Sequence, residues 1–144
     1  MEVIKIARIP PVTVPPQITV MDAVSLMAEL QVGAVVATDT ERRVVGIFTE
    51  RDNLTRVTVQ RRDVERTQIK EVMTTQVETI DPRTELTEAL ERMIRGRFRH
   101  LPITDDERHI VGIVSLRYLL MHRLSEEKAN AQVWAAYMTA GGPG

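Results

Sequence analysis

The hydrophobic and polar positions of this chain follow one pattern twice. Apolar residues between positions 19 and 30 recur at intervals of three or four, which is typical of an amphipathic helix packed on a core. Two short apolar runs follow at 33–37 and 44–48, and the polar turn 39–42 between them predicts a β-hairpin. A second helical pattern begins near Glu50. The chain then restates this order, so each half predicts strand, helix, strand, strand and helix.

The second half matches the first at a constant offset of 66 positions, without gaps. Identical pairs occur in most of the predicted elements, and they include Thr13/Thr79, Pro16/Pro82, Met27/Met93, Gly46/Gly112 and Arg51/Arg117. A register held across a turn, a helix and two strands indicates a duplicated unit. Two copies favour a closed pair over an open array of repeats.

These patterns divide the chain into four segments. Residues 3–57 form the first repeat, 58–68 a polar and charged connector, 69–122 the second repeat, and 123–144 a C-terminal extension.

Two further elements are expected at the ends of the repeats. Each repeat should open with a short strand, at 12–14 and at 77–80. The last helix should start near Ser115 and run to about Met138. Its apolar stripe approaches a heptad spacing, which favours contact with a second copy or with a regulated protein over packing on its own sheet.

The two hairpins end in related corners. The string Val45-Gly46-Ile47-Phe48-Thr49-Glu50-Arg51-Asp52 places a hydroxyl where the strand gives way to the helix, and a carboxylate one turn later. Free N–H groups at a helix start suit a phosphate, and a carboxylate can accept both hydrogens of a ribose diol. Thr49 and Asp52 could instead be an ordinary N-cap and first-turn acid. The second copy has Ser115 and Tyr118 here, so its corner lacks the carboxylate.

Composition argues against several classes of protein. The chain has 144 residues, a net charge of −1 and only 3% aromatic residues, which makes nucleic-acid binding unlikely on electrostatic and stacking grounds. No apolar run approaches a membrane span and no signal peptide is evident, so a cytoplasmic protein is expected.

Cysteine is absent, and the three histidines lack metal-ligand spacing, so no metal site is expected. No nucleophile with a base, P-loop or dinucleotide glycine pattern is present, so an enzyme is not expected.

The chain resembles a tandem pair of CBS domains (cystathionine-β-synthase-type repeats), called a Bateman module, over roughly residues 3 to 122. The most specific string is 45–52, and the others are 72–74, 79–82, 99–103 and 111–115. The resemblance implies an α/β (α+β) fold of two β-α-β-β-α repeats packed by their sheets with pseudo-twofold symmetry. It also implies disk-shaped homodimers, and an adenosine-containing ligand such as AMP, ADP or ATP between the repeats. No cofactor is required.

The resemblance further implies which residues bind. In the complete site Thr49 would hold phosphate and Asp52 the ribose, residues 79–81 would line the base, and 98–102 would form the far wall. The set is Thr49, Arg51, Asp52, Thr79, Ile80, Asp81, Phe98, Arg99, His100, Leu101 and Pro102. The second cleft would use Thr13, Val14, Pro15, Gly33, Ala34, Val35, Ser115, Arg117 and Tyr118, with weak or no nucleotide binding expected. The alternatives are a scaffold or docking module without nucleotide dependence, a binder of S-adenosylmethionine or NAD, and a nucleic-acid binder.

Overall fold

The computed structural model describes residues 1–126 and 138–140. The first half contains β1 (Thr13–Val14), α1 (Val20–Leu30), β2 (Ala34–Thr38), β3 (Val44–Thr49) and α2 (Glu50–Asp52), which continues as a π-helix at Asn53–Thr58. The second half contains α3 (Leu86–Gly96), β4 (His100–Thr104), β5 (Ile110–Ser115) and α4 (Leu116–Glu126). A short 3₁₀-helix precedes each half, at Val3–Ile6 and at Ile69–Glu71. The predicted mixed α and β repeats are confirmed.

The first long helix starts and stops as its sequence predicts. The Thr19 side chain accepts a hydrogen bond from the backbone N–H of Asp22 at 3.1 Å, which satisfies one of the free donors at the helix start. The helix ends at Gln31, which adopts a left-handed conformation with φ 55°. Its equivalent Arg97 ends α3 in the same way, with φ 58°. The two helices therefore end in matching turns that lead into the hairpins.

The two halves differ in their first strands. Strand β1 pairs in parallel with β2, which pairs antiparallel with β3, whereas the second half has only the antiparallel pair β4–β5. The strand predicted at 77–80 is reduced to a single bridge between Ile80 and Ile103. In the first half the N–H of Val36 donates to the carbonyl of Val12 at 3.0 Å. The residue equivalent to Val36 is Pro102, which has no N–H to donate, so this part of the ladder cannot form.

Each half is completed by the segment that precedes the other half. Val3 and Ile6 are buried in the core of the second half, and Ile69 and Val72 in the core of the first. Matching backbone bonds fix both segments, such as Val3 N–H to the Thr84 carbonyl and Ile69 N–H to the Ile18 carbonyl, each at 2.9 Å. We call these two segments, 1–9 and 68–74, the exchanged lead-ins. Their exchange is not evident from the sequence pattern.

The halves face each other across a pseudo-twofold axis. Arg43 and His109, which are equivalent positions, form an antiparallel bridge. Flanking this bridge, the N–H of Val44 donates to the Arg108 carbonyl and the N–H of Ile110 to the Arg42 carbonyl, both at 3.0 Å. A buried apolar cluster from both sheets lies beneath them, formed by Ala34, Val36, Val44, Ile47, Ile110 and Ile113. The predicted sheet-to-sheet packing with pseudo-twofold symmetry is confirmed.

The C-terminal extension is described only in part. Helix α4 is described from Leu116 to Glu126, and Met138, Thr139 and Ala140 are helical. The predicted continuous helix, with its apolar stripe at Ala131, Trp134 and Ala135, lies largely outside the described residues. Over 1–126 and 138–140, the helices are too short or too polar to cross a membrane.

Candidate functional site

A cavity of about 650 Å³ opens between the two halves, and we call it the main cleft. The first half supplies Gly33, Ile47, Thr49, Glu50, Arg51, Asp52, Leu54 and Arg56. The second half supplies Thr74, Gln76, Val77, Glu78, Gly96, Arg97, Phe98, Arg99 and His100. Its volume lies within the range of small-molecule sites, roughly 300–1,000 Å³. Six of the predicted site residues meet here: Thr49, Arg51, Asp52, Phe98, Arg99 and His100.

Thr49 and Asp52 form a reciprocal capping box at the corner between β3 and α2. The Thr49 hydroxyl accepts from the Asp52 N–H at 3.2 Å, and the Asp52 Oδ2 accepts from the Thr49 N–H at 3.0 Å. The Asp52 residue is only 7% exposed, yet it lines the main cleft. Each carboxylate oxygen has two lone pairs, so acceptor capacity remains for a ligand. Thr49 and Asp52 therefore cap the helix and line the main cleft at the same time.

The lining of the main cleft is rich in guanidinium groups. Arg51, Arg56, Arg97 and Arg99 outnumber the carboxylates Glu50, Asp52 and Glu78. Arg51 bridges the halves, because its Nη1 donates to the Arg97 carbonyl at 3.1 Å. Guanidinium groups bind phosphate in a bidentate manner, so this lining favours an anionic ligand.

His100 lies against Gly33 at the back of the cleft. A Cβ atom added at Gly33 would lie 2.5 Å from the Glu50 Oε1 and 3.1 Å from the His100 Nε2, so a larger residue would displace the Glu50 carboxylate and press on the imidazole. Burial, and to a lesser extent the positive charge of Arg99, lowers the pKa of His100 to about 4. His100 is therefore a neutral imidazole at pH 7. It can donate and accept hydrogen bonds with a ligand, but it has no positive charge with which to attract a phosphate.

Phe98 presents the aromatic surface of the main cleft. Its ring folds over Gly96, where a Cβ atom would overlap ring carbons Cε1 and Cδ1. Gly96 thus permits the ring position that lines the cleft. An aromatic face next to a polar corner suits a ligand that has a planar base at one end and a sugar at the other.

The remaining predicted residues of this site lie elsewhere. Thr79, Ile80, Asp81, Leu101 and Pro102 do not line the main cleft. Ile80 and Leu101 are buried in the core of the second half, and the Asp81 Oδ1 accepts from the Arg83 N–H at 2.8 Å. The wall predicted at 79–81 is instead formed by Thr74, Gln76, Val77 and Glu78.

Thr74 reaches this wall because its lead-in pairs with β3. The N–H of Ile47 donates to the Thr74 carbonyl, and the N–H of Thr74 donates back to the Ile47 carbonyl, both at 2.9 Å. This pairing brings the segment after Thr74 past the corner at Thr49. The string 72–74 was the sequence signal that could have located the wall, because it precedes the second repeat as part of the resemblance.

The equivalent space in the other half is nearly closed. It measures about 10 Å³, room for no more than a single water, and it is lined by Arg8, Val12, Val32, Gly33, Ala34, His100, Ile113 and Ser115. Ser115 accepts from the Tyr118 N–H at 3.2 Å, and both residues are buried. Tyr118 packs in the core of the second half, where burial raises its pKa.

The other residues predicted for the second cleft are dispersed. Thr13, Val14 and Pro15 border a separate open groove of about 550 Å³, and Val35 is fully buried in the core of the first half. Of the predicted set only Gly33, Ala34 and Ser115 line the small gap. The predicted second cleft is therefore not assembled as the sequence indicated.

A larger groove of about 1140 Å³ lies beside the main cleft, and we call it the helix groove. Its walls come from α1, the α2 and π-helix segment, and the start of α4, where Arg117 lies. The equivalent residues Leu54 and Leu120 line it and are 58% and 46% exposed. Glu50 and His100 line both the helix groove and the main cleft, so the two spaces share a wall.

The CBS domain family model matches residues 3–52 and 69–125. The chain belongs to the CBS-domain family. The two CBS-domain matches cover most of both halves, and the unmatched residues 53–68 include the π-helix and the connector.

Curated CBS-domain relatives match most of the chain. A protein of Bacillus subtilis, YhcV, is 36% identical over 119 residues, which cover 83% of each chain. A 17.7 kDa protein of Acidianus ambivalens is 39% identical over 106 residues, which cover 74% of this chain and 63% of the relative. The Arabidopsis thaliana protein CBSCBSPB1 is 38% identical over 128 residues, covering 89% of this chain and 23% of that protein. The chain therefore spans only part of the length of some relatives.

Two solved CBS-domain structures carry adenosine-containing ligands. The protein from Pyrobaculum aerophilum complexed with AMP is 26% identical, with a TM-score of 0.76 over 82% of this chain and 89% of that one. The CBS domain pair of protein MJ0100, complexed with 5′-methylthioadenosine and S-adenosyl-L-methionine, is 26% identical, with a TM-score of 0.78 over 89% and 98%. Each of these two CBS-domain proteins thus binds an adenosine-containing ligand.

Proposed function

We propose that this chain is a non-catalytic regulatory module that binds an adenine nucleotide, of the AMP, ADP or ATP type, in the main cleft. The nucleotide contacts both halves at once, so it stabilises the arrangement in which they are closed around it. A ligand shifts such an equilibrium by its difference in affinity for the two arrangements. The change would pass to a second copy or to a regulated protein.

The observation that supports this proposal most strongly is that the residues suited to a nucleotide line the open cleft and not the nearly closed gap. The corner with Thr49 and Asp52 opens into about 650 Å³ between the halves. At the equivalent corner Ser115 borders a gap of about 10 Å³ and one edge of the helix groove, and Tyr118 is buried. An aromatic ring, a carboxylate at a capping corner and several arginines line the open space. These three features suit the base, the ribose and the phosphate in turn.

The charge of the lining favours a nucleotide over S-adenosylmethionine. S-adenosylmethionine carries a positive sulfonium, whereas AMP, ADP and ATP carry negative phosphates. Since arginines outnumber carboxylates around the main cleft, phosphate is the better electrostatic match. The AMP complex of the Pyrobaculum aerophilum protein supports the same choice, and the MJ0100 complex keeps S-adenosylmethionine as the second candidate.

The first test replaces the carboxylate while keeping its shape. Asp52→Asn retains an oxygen that can accept from the Thr49 N–H, but it loses the negative charge that binds the ribose hydroxyls. Hydrogen bonds to charged groups contribute about 1.5–3 kcal/mol, so AMP affinity should fall about ten- to a hundredfold in calorimetric titration. The matched control is Tyr118→Phe at the equivalent position, which should bind AMP like the wild type.

Three results would each contradict part of the proposal. Equal AMP affinity of the wild type and Asp52→Asn would remove the ribose assignment. Failure of AMP, ADP and ATP to bind the wild type at all would favour a scaffold or docking module. Turnover of ATP above background by the purified protein would contradict the non-catalytic part of the proposal.

We also propose that the helix groove is where a second copy packs. Leu54 and Leu120 are related by the 66-residue offset and lie on the same groove, so the surface has apolar groups from both sides of the pseudo-twofold axis. Such a surface suits an isologous contact, in which the same patch is used by both copies. Exposed leucines of this kind are also typical of protein interfaces.

A further inference from the structure

We infer that Arg56 is a positioning residue for ribose recognition, because it holds the Asp52 carboxylate in the orientation that receives the sugar hydroxyls. This inference rests on the proposed function, since it concerns the same cleft. It adds a residue that is absent from the predicted binding set and that would act on the sugar through Asp52.

The Asp52 carboxylate is held on both sides. The Thr49 N–H donates to Oδ2 at 3.0 Å, and the Arg56 Nε lies 3.6 Å from Oδ1. A carboxylate with a fixed partner on each oxygen cannot turn without losing one of them. Oδ2 has a lone pair left beside its bond from the Thr49 N–H, and Oδ1 faces the Arg56 guanidinium at ion-pair distance with its lone pairs available to a sugar hydroxyl.

Arg56 is itself fixed at its other end. Its Nη1 donates to the carbonyls of Val72 and Met73, each at 3.2 Å. These carbonyls directly precede Thr74, which begins the opposite wall of the main cleft. Arg56 therefore links the ribose carboxylate of the first half to the lead-in that forms the facing wall. A guanidinium can make both connections because its donors form a rigid planar fork.

The local backbone supports a specialised role. Arg56 lies in the π-helix Asn53–Thr58, whereas the equivalent part of the second half is the regular helix α4. Single π turns within helices are frequent at functional sites. The Val59 N–H donates to the Leu54 carbonyl at 3.0 Å, which is the i to i−5 bond of such a turn.

The pairing is confined to the half that has an open cleft. The residues equivalent to Asp52 and Arg56 are Tyr118 and His122. Carboxylate, arginine, π turn and open cavity therefore occur together in one half, and all four are replaced in the other. If the Arg56–Asp52 salt bridge served only to stabilise the fold, it would not need to occur in the same half as the open cavity. A pair that is 48% exposed on the arginine side also contributes little to folding.

The test compares three ligands on matched variants. Wild type, Arg56→Gln and Arg66→Gln are titrated with AMP, 2′-deoxy-AMP and adenosine by calorimetry. Arg66 is the control because its side chain is 89% exposed and does not line the main cleft. The wild type should prefer AMP to 2′-deoxy-AMP by about tenfold, the effect of one hydrogen bond to a charged group.

The expected result is a selective loss of ribose recognition. Arg56→Gln should lower AMP affinity about tenfold, bring the AMP to 2′-deoxy-AMP preference close to one, and keep the AMP to adenosine ratio of the wild type. Arg56→Lys, which keeps the charge but not the fork, should also reduce the ribose preference. Arg66→Gln should match the wild type in all three titrations.

The inference is overturned if both Arg56 variants keep the wild-type ribose preference. It is also overturned if the change falls on the AMP to adenosine ratio, because Arg56 would then contact phosphate directly. These outcomes differ from failure of the proposed function, in which the wild type itself binds none of the three ligands.

Discussion

At the scale of residues, the surroundings of His100 determine the protonation state of this cleft-lining side chain. The imidazole lies among Gly33, Glu50 and Arg99, lines three separate spaces, and stays neutral because burial and the neighbouring arginine lower its pKa to about 4. A neutral ring at this position can donate one hydrogen bond and accept another. The charge that attracts a phosphate must then come from the arginines.

This pKa predicts a dependence of stability on pH. In the unfolded chain the His100 pKa returns to about 6.5, so between pH 6.5 and 4 the unfolded state binds more protons than the folded state. Stability therefore falls as the pH is lowered through this window, by up to about 1.4 kcal/mol per pH unit from this group. Urea unfolding of the wild type at pH 7.5, 6.5, 5.5 and 4.5 should show this slope, and His100→Gln should flatten it. An equal slope in both proteins would contradict the prediction.

The sequence predicted part of the candidate site at this scale. Thr49 and Asp52 could be located because a hydroxyl and a carboxylate at a strand-to-helix corner have a recognisable spacing. The wall for the base was predicted at 79–81, whereas the main cleft is lined by Thr74 and residues 76–78, since periodicity gives the face of a strand but not the point at which the chain passes a cleft. Arg56 was missed because its role depends on carbonyls at 72 and 73, which have no side-chain signature.

At the scale of elements, the exchanged lead-ins carry more of the core than their length suggests. Val3 and Ile69 are fully buried at equivalent positions, each in the half to which it is not adjacent in sequence. Hydrophobic patterning predicted both hairpins and both long helices, because those elements bury one face against their own repeat. It could not say that a lead-in crosses to the other repeat, since a buried position looks the same whichever core contains it.

Truncating a lead-in residue should destabilise the protein as strongly as a core mutation. Ile69→Ala removes three buried carbons and leaves a cavity, so the free energy of unfolding should fall by about 2–5 kcal/mol. Ile94→Ala, on the exposed face of α3 where the side chain is 70% exposed, is the control and should change stability by less than about 0.5 kcal/mol. Urea unfolding measures both variants, and similar values for the two would show that the lead-in is not part of the core.

At the scale of the whole molecule, residues related by the 66-residue offset also occupy equivalent places on the outer surface. Equivalent leucines lie on the helix groove, whereas equivalent hairpin turns meet at Arg43 and His109 on the axis. The duplication was predicted from the gapless register of 66, and the pseudo-twofold symmetry from the resemblance to CBS-domain pairs. Its asymmetry, one open cleft and one closed gap, followed only in part from the replacement of Asp52 by Tyr118.

The proposed dimer can be tested at this groove. Leu54→Glu and Leu120→Glu each place a charge on an exposed apolar face, so either should convert a dimer of the wild type into monomers without unfolding the chain. Light scattering coupled to size exclusion gives the mass, and circular dichroism checks the fold. Leu30→Glu, whose side chain is also exposed but does not line the groove, serves as the control. A monomeric wild type, or dimers that tolerate both groove charges, would contradict the proposal.

The exchange of the lead-ins has a consequence for how such a chain could arise. A lone copy of the repeat could not fill its own core, but two identical copies could each lend the missing piece to the other. Joining their genes end to end would then convert an intertwined pair of chains into one chain without altering a single buried contact. Once joined, the two copies no longer had to remain the same, and one could keep a ligand while the other closed.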